Sequence, residues 1–117
     1  MNALRFALYA LAAFIVVDGD TIKAPYGVTY RLLGYDTPET HFAKCDAERD
    51  LGLAAKQRLE ELLATREVKV LENGKRDRWG RSLAHLTANG RDVGEILIGE
   101  GLARPYNGKK RAGWCGV

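Results

Sequence analysis

Residues 31–40 read Arg-Leu-Leu-Gly-Tyr-Asp-Thr-Pro-Glu-Thr, a strand-forming run that passes into a polar turn. Pro38 disfavours helix at the residue before it, so the last five residues of the run are predicted to form a loop that leaves a strand end. The run brings Arg31, Asp36 and Glu39 close together. Carboxylates are preferred ligands of hard divalent cations, and a guanidinium pairs with phosphate oxygens in a bidentate way. The pattern therefore predicts a metal-assisted site for a phosphate-containing substrate.

A second acidic turn, Asp18-Gly19-Asp20, lies before this run. Residues 15–17 and 21–23 on either side of it are β-prone, and residues 28–33 are predicted to form the next strand. Asp-Gly pairs are common in ordinary turns, and we expect Asp18 to have that structural role. Asp20 offers a further carboxylate to the predicted site.

The remaining sequence alternates between helical and strand patterns. Residues 46–64 show an apolar stripe with charged residues opposite, which predicts the longest helix. Residues 67–71 and 82–87 are predicted strands, Asn73-Gly74 a turn, and Asp92 the start of a short helix, with an irregular chain from residue 104. This order predicts an α+β protein, an OB-fold five-stranded β-barrel with two to three helices at its rim.

The charge is distributed unevenly. A formal net charge of +3 over 117 residues argues only weakly for a polyanionic partner, and the length suits one domain. Residues 75–81 carry four basic groups against one acid, and residues 104–111 carry four basic groups and no acid. Basic runs are often plain solvated surface, but two of them beside a candidate metal site favour binding to a phosphate backbone.

The N-terminal residues 1–13 resemble a signal-like or leader segment, with Ala10-Leu11-Ala12 in the form of a cleavage site. The alternative is that they extend the first strand. They are too few to span a membrane, which takes about 20 apolar residues. We therefore expect the functional domain at residues 14–117, no membrane association in the mature form, and a secreted or periplasmic location, with the cytoplasm as the alternative.

The two cysteines, Cys45 and Cys115, do not have the spacing of a zinc site with the histidines. A disulfide between them would tie the C-terminal tail to the segment before the long helix, and export would favour it. Two unrelated thiols are the equally open alternative.

Four motifs follow one another along the chain: Val17-Asp18-Gly19-Asp20-Thr21, the residues 31–40 already quoted, Asp77-Arg78-Trp79-Gly80-Arg81, and Gly101-Leu102-Ala103. Each motif alone is a modest signal, but together, in order and at compatible spacings, they are specific. On these motifs the chain resembles the staphylococcal nuclease-like (thermonuclease) family from about Val16 to Tyr106. The resemblance implies an OB-fold and a calcium-dependent phosphodiesterase that acts on DNA and RNA.

The resemblance also implies a metal site and a base. Asp20 and Asp36 would hold Ca²⁺ with their carboxylates, and Thr37 would add its backbone carbonyl. Glu39 would orient or deprotonate the attacking water. These are oxygen ligands of the kind that calcium accepts in irregular geometry.

Two arginines complete the implied catalytic set. Arg31 and Arg81 would bind the phosphate and stabilise the charge that builds on it, and attack would break the bond to the 5′ oxygen and leave 3′-phosphate ends. Tyr106 is a candidate substrate-binding residue, because aromatic side chains stack on bases, although packing explains it equally well.

Two departures from the family pattern stand out. Tyr35 occupies a position that is more often aliphatic, and the tail after Tyr106 lacks a final long helix. The main rival interpretation is a non-catalytic OB-fold module that binds single-stranded nucleic acid, and a degenerate interaction domain is another. Neither has a reason to keep these acids and arginines together, so we expect an enzyme, monomeric, with DNA and RNA as its substrates.

Overall fold

A mixed β-sheet with two helices beside it makes up most of the part of the chain that this computed structural model describes, residues 14–65 and 67–116. The predicted leader at residues 1–13 lies outside the described residues. The elements are β1 (Ile15–Asp18), β2 (Thr21–Lys23), β3 (Thr29–Leu32), β4 (Tyr35–Asp36), α1 (Asp46–Leu63), β5 (Val68–Arg76), β6 (Ser82–Ala88), β7 (Arg91–Asp92), α2 (Val93–Gly99) and β8 (Arg104–Pro105).

The pairing of the strands places the functional loops. Strands β1, β2 and β3 form an antiparallel meander, β3 then pairs with β6 in parallel, and β5 and β7 pair with β6. A separate two-stranded sheet joins β4 to β8, with Asp36 opposite Arg104. As a result the C-terminal tail begins next to the loop that the sequence analysis singled out.

The α+β class is confirmed, but the pairing differs from the predicted five-stranded barrel. The main sheet has six strands, and its terminal strands β1 and β5 do not pair with each other within the described ranges. Both described helices fall where the sequence predicted them, which gives the lower of the two expected helix counts.

The predicted turn at Asn73-Gly74 is wrong. Strand β5 runs through both residues, and its pairing with β6 shifts between Glu72 and Arg76, as in a β-bulge. Gly74 has φ +80°, a conformation that glycine adopts without steric cost, so the pair is absorbed in the strand. The chain reverses instead at Asp77, whose amide donates to the carbonyl of Arg81 at 2.9 Å.

The chain after residue 104 is also less irregular than expected. Arg104 and Pro105 form β8 against β4, and the amide of Tyr106 donates to the carbonyl of Gly34 at 3.0 Å. Cys45 and Cys115 are joined by a disulfide, with their Cα atoms 6.0 Å apart. The tail is thus held by β4 and by Cys45, which are both distant from it in the chain, and a local sequence pattern does not reveal such contacts.

The core lies between the main sheet and the two helices. α1 presents its apolar stripe to the sheet, as its 3.6-residue periodicity predicts. No helix within residues 14–65 and 67–116 has the length and apolar character needed to cross a membrane. Fully buried apolar side chains include Ile22, Leu32, Leu59, Ala84 and Leu97.

Candidate active site

Arg31 joins the two acidic turns. Strand pairing sets it opposite Thr21, so its side chain lies beside the turn that carries Asp20. Its Nη2 atom is 3.5 Å from Oδ2 of Asp20 and 3.4 Å from Oδ1 of Asp36. One guanidinium nitrogen therefore contacts both carboxylates and links the two acidic turns.

The carboxylate of Asp20 is fixed by two hydrogen bonds. Its Oδ1 accepts from the hydroxyl of Thr21 at 3.0 Å, and its Oδ2 accepts from the amide of Thr37 at 3.2 Å. Gly19, directly before Asp20, is required for steric reasons, because a Cβ there would lie 2.8 Å from Cγ2 of Thr37. Only glycine lets the two turns approach this closely.

Glu48 of α1 holds the loop that carries Glu39. Its two carboxylate oxygens accept from the amides of Glu39 at 3.2 Å and Lys44 at 2.8 Å, and these bonds lower the pKa of Glu48 despite its burial. On the other side of the loop, the hydroxyl of Thr40 donates to Asp18 at 2.6 Å. Asp18 thus has the structural contact that its turn predicted.

Burial raises the pKa values of two carboxyl groups in the site. Asp36 is raised by desolvation, although a hydrogen bond from Arg111 acts in the opposite direction. Glu39 is likewise raised by desolvation, with Arg111 lowering it and the neighbouring aspartates adding to the increase. A cation bound nearby would favour the ionised forms of both carboxyl groups and so lower their pKa values.

Arg81 reaches the same site from the turn after β5. Its Nε donates to Asp77 at 2.7 Å, and its Nη1 contacts the hydroxyl of Thr21 at 3.4 Å. Because Thr21 also donates to Asp20, Arg81 is connected to Asp20 through one hydroxyl group, whereas Arg31 contacts Asp20 directly.

Tyr106 lies next to the site, against an arginine. The centre of its ring is 5.7 Å from Cζ of Arg31, and its hydroxyl donates to the carbonyl of Lys109 at 2.6 Å. The packing role that the sequence left open is therefore present, and its use as a platform for a base stays a prediction.

Sequence reasoning did not single out Arg111. Its Nε donates to Oδ2 of Asp36 at 3.0 Å, and its Nη2 donates to the carbonyl of Thr37 at 3.3 Å. The same Nη2 is 3.6 Å from Oε2 of Glu39. The basic run at residues 104–111 was the available signal, but nothing in it distinguishes Arg111 from its neighbours.

The donor set fits a hard divalent cation. Asp20, Asp36 and Thr37 offer carboxylate and carbonyl oxygens of the kind that calcium accepts, and these residues are at most 7% exposed. Three oxygens of this region already surround a cationic group, the guanidinium of Arg111. The site is thus built to hold positive charge.

The profile of the staphylococcal nuclease homologues matches residues 29–113. The chain belongs to this family. Two curated relatives from Bacillus subtilis (strain 168) are similar to it in alignments of 93 residues that cover 75% of this chain. They are the SPbeta prophage-derived endonuclease YokF, 40% identical, and the endonuclease YncB, 39% identical.

Membership of the staphylococcal nuclease family implies an OB-fold. In the described residues of this chain the sheet is not closed into a barrel, because its terminal strands β1 and β5 do not pair. The chain spans 31% of the length of YokF and 44% of that of YncB, so their names describe longer proteins. The matched profile begins after Asp20. The inclusion of Asp20 in the candidate site therefore rests on its contacts with Arg31 and Thr37.

Proposed function

We propose that this staphylococcal nuclease family member is a calcium-dependent phosphodiesterase that hydrolyses DNA and RNA and leaves 3′-phosphate ends. One observation carries the proposal: Arg31 lies within hydrogen-bonding or ion-pair distance of both Asp20 and Asp36, and Arg81 reaches the same cluster through Thr21. A surface that only binds nucleic acid gains nothing from buried acids beside its arginines, because they repel the phosphates.

The acids are proposed as the metal ligands. Asp20 and Asp36 would hold Ca²⁺ together with the carbonyl of Thr37. Bound there, calcium would supply Lewis-acid stabilisation of the phosphoryl oxygen. The hydrogen bonds to Asp20 from Thr21 and Thr37 fix its carboxylate in advance, which limits the reorganisation that binding requires.

Glu39 is proposed as the base that takes a proton from water. Its side chain is 31% exposed, so water reaches it, and burial raises its pKa towards the range in which a carboxylate is an effective base. The backbone amide of Glu39 is hydrogen-bonded to Glu48, which restricts the movement of the Glu39 carboxylate.

Arg31 and Arg81 are proposed to bind the phosphate and to stabilise the transition state. Arg31 is oriented by its Nη1, which donates to the carbonyls of Leu32 and Tyr35, so its Nη2 stays directed at the acids. Asp77 orients Arg81 in the same way. Preorganised guanidinium groups stabilise developing negative charge without reorganising during the reaction.

The wider setting is proposed as well. The relatives named endonucleases support cleavage of nucleic acid, and we propose that the domain acts as a monomer and is secreted or periplasmic. The disulfide between Cys45 and Cys115 supports an oxidising location, because cytosolic disulfides are uncommon.

The test is cleavage of single-stranded DNA and of RNA in millimolar calcium and in excess chelator, with analysis of the product ends. We expect calcium-dependent products with 3′-phosphates, and a loss of about a hundredfold or more in the Glu39→Gln and Arg81→Ala variants. Arg91→Ala removes an exposed arginine of β7 and serves as the matched control.

Two outcomes contradict the proposal. Cleavage that persists at full rate in chelator excludes calcium dependence. Salt-sensitive DNA binding by a folded sample that gives no product, with or without calcium, favours the binding module instead.

A further inference from the structure

Arg111 is a basic residue that the proposed reaction does not use, yet its guanidinium lies among the oxygens assigned to calcium. It contacts Oδ2 of Asp36 at 3.0 Å and the carbonyl of Thr37 at 3.3 Å. It also lies 3.6 Å from the carboxylate of Glu39. A guanidinium in this position and a divalent cation need the same oxygens.

Two connections anchor the tail segment, residues 104–116, beside the site, and two further contacts lie within the segment itself. It starts as β8 beside β4, and it ends at the disulfide between Cys115 and Cys45. Within it, Arg104 donates to the carbonyl of Gly113 at 2.7 Å and stacks on Trp114, with Cζ 3.7 Å from the ring. Arg111 is therefore held near the acids by a closed segment and not by its own ion pairs alone.

The two partners of the main ion pair differ in exposure. The side chain of Asp36 is only 5% exposed, whereas that of Arg111 is 41% exposed. Arg111 can return to water at little cost, but Asp36 would then be a buried charge that has lost a partner. Departure of the guanidinium leaves Asp36 with Arg31 as its cationic partner, and it becomes more favourable when another cation takes the vacated place.

We propose that Arg111 is the resident counter-cation of the acidic site and that a divalent cation binds by displacing its guanidinium. The disulfide keeps the displaced arginine near the site, so that it competes continuously with the metal. This inference rests on the proposed function, since it takes the calcium ligands from there.

The expected effect is a change in metal affinity. A site whose binding-competent form is only partly populated binds its ligand more weakly by that fraction, and removal of the competitor restores the intrinsic affinity. For a partly exposed ion pair we expect Arg111→Ala to tighten calcium binding by roughly threefold to tenfold.

The measurement is isothermal titration calorimetry with calcium chloride and no nucleic acid, on the folded, oxidised chain. Lys110→Ala is the matched control, because it removes the same charge from the neighbouring residue. Tighter binding in Arg111→Ala, with Lys110→Ala close to wild type, supports displacement. Equal tightening in both variants would mean a general charge effect and overturns it.

Other outcomes separate this inference from the proposed function. If the wild type cleaves DNA with calcium but Arg111→Ala binds calcium no more tightly, displacement is wrong and the nuclease assignment stands. If Arg111→Ala instead weakens DNA binding without changing calcium affinity, Arg111 is a phosphate-binding residue. If no variant binds calcium, both proposals fail.

The role of the tether is tested in a second background. The double variant Cys45→Ser, Cys115→Ser frees the tail, and we expect tighter calcium binding that Arg111→Ala improves less than it does in the oxidised chain. Additive effects of the two changes would show that the disulfide does not act through Arg111. The single variant Arg111→Ala still decides the main proposal if the double variant does not fold.

Discussion

The hydroxyl of Tyr35 donates a hydrogen bond to the backbone carbonyl of Gly19 at 2.7 Å. Tyr35 directly precedes Asp36 in the chain, and Gly19 directly precedes Asp20. The bond therefore joins the backbones of the two turns that carry the proposed metal ligands. The side chain of Tyr35, which the sequence analysis singled out as a departure from the expected family pattern, therefore constrains the distance between these acids.

Tyr35→Phe removes this bond and keeps the buried ring. The carbonyl of Gly19 is buried, so we expect a loss of about 1–3 kcal/mol in the free energy of unfolding. We also expect weaker calcium binding, because the two turns lose a fixed spacing. Urea denaturation and calcium titration measure the two effects.

Tyr30→Phe is the matched control for Tyr35→Phe. Tyr30 is equally buried, but its hydroxyl pairs with Tyr26 and Glu72, away from the acids. It is expected to change stability without changing calcium affinity. Unchanged calcium affinity in Tyr35→Phe as well would show that the bond to Gly19 has no role in the metal site.

Gly52→Ala is expected to destabilise the protein although it lies inside α1, where alanine is normally the better residue. A Cβ at this position would lie 2.8 Å from the carbonyl oxygens of both Pro38 and Glu39. The helix or the loop must shift, at a cost of about 1–3 kcal/mol. Cleavage should fall too, because the loop carries Glu39.

Gly99→Ala provides the comparison in α2. Nothing lies within 4 Å of a Cβ added there, so we expect a neutral or slightly stabilising effect in thermal denaturation. If Gly52→Ala behaved like Gly99→Ala, the close approach of α1 to the loop would not constrain the site.

The pH dependence of stability should reveal Glu39. Its pKa is raised by burial in the folded, calcium-free protein, so the folded chain holds this proton more tightly than the unfolded chain. The stabilisation that results is complete below the unfolded pKa and is lost as the pH rises through the folded pKa. The Glu39→Gln variant has no carboxyl group at this position and does not lose this stabilisation. Its free energy of unfolding minus that of the wild type should therefore increase between about pH 4 and about pH 7.

Denaturation of both proteins across this range measures the difference. Subtracting the free energy of unfolding of the wild type from that of the variant cancels the contributions of other groups. One such group is Glu48, whose lowered pKa changes stability with pH in the opposite direction. With saturating calcium the change should shrink, because a cation favours the ionised carboxylate. A constant difference across the range without calcium would contradict a raised pKa for Glu39.

Asp77 is expected to have two separable roles: it stabilises the turn at residues 77–81, and it orients the guanidinium of Arg81. It accepts from the amides of Trp79 at 3.0 Å and Arg81 at 2.9 Å, and from Nε of Arg81 at 2.7 Å. Asp77→Asn keeps an acceptor for the turn but loses the charge, so we expect stability within about 1 kcal/mol and a loss of about tenfold in cleavage. Asp77→Ala should lose both, and equal cleavage in the two variants and wild type would exclude orientation by Asp77.

The sequence predicted the local features of the fold well. The apolar periodicity of α1, the cap at Asp92 and the β-prone runs around Asp18-Gly19-Asp20 all became the expected elements. These features depend on neighbours within a few residues, which a pattern reports directly.

The features that were missed depend on distant partners. Asn73-Gly74 is a good hairpin signal, but pairing with β6 extends β5 through it. Arg104 forms a strand only because β4 offers an edge. Arg111 contacts Asp36 because the disulfide holds the tail beside the site, and a local pattern does not report this contact. The candidate metal ligands were predicted from the motif, whereas their counter-cation was not.

The parallel pairing of β3 with β6 has a consequence for the order of folding. Arg31 lies opposite Leu83, and α1 and all of β5 come between them in the chain. Parallel pairings between distant segments form slowly, because the closure entropy of the intervening chain must be overcome first. The acids precede this pairing in the chain and Arg81 directly precedes β6, so the candidate site is complete only after β3 and β6 have paired.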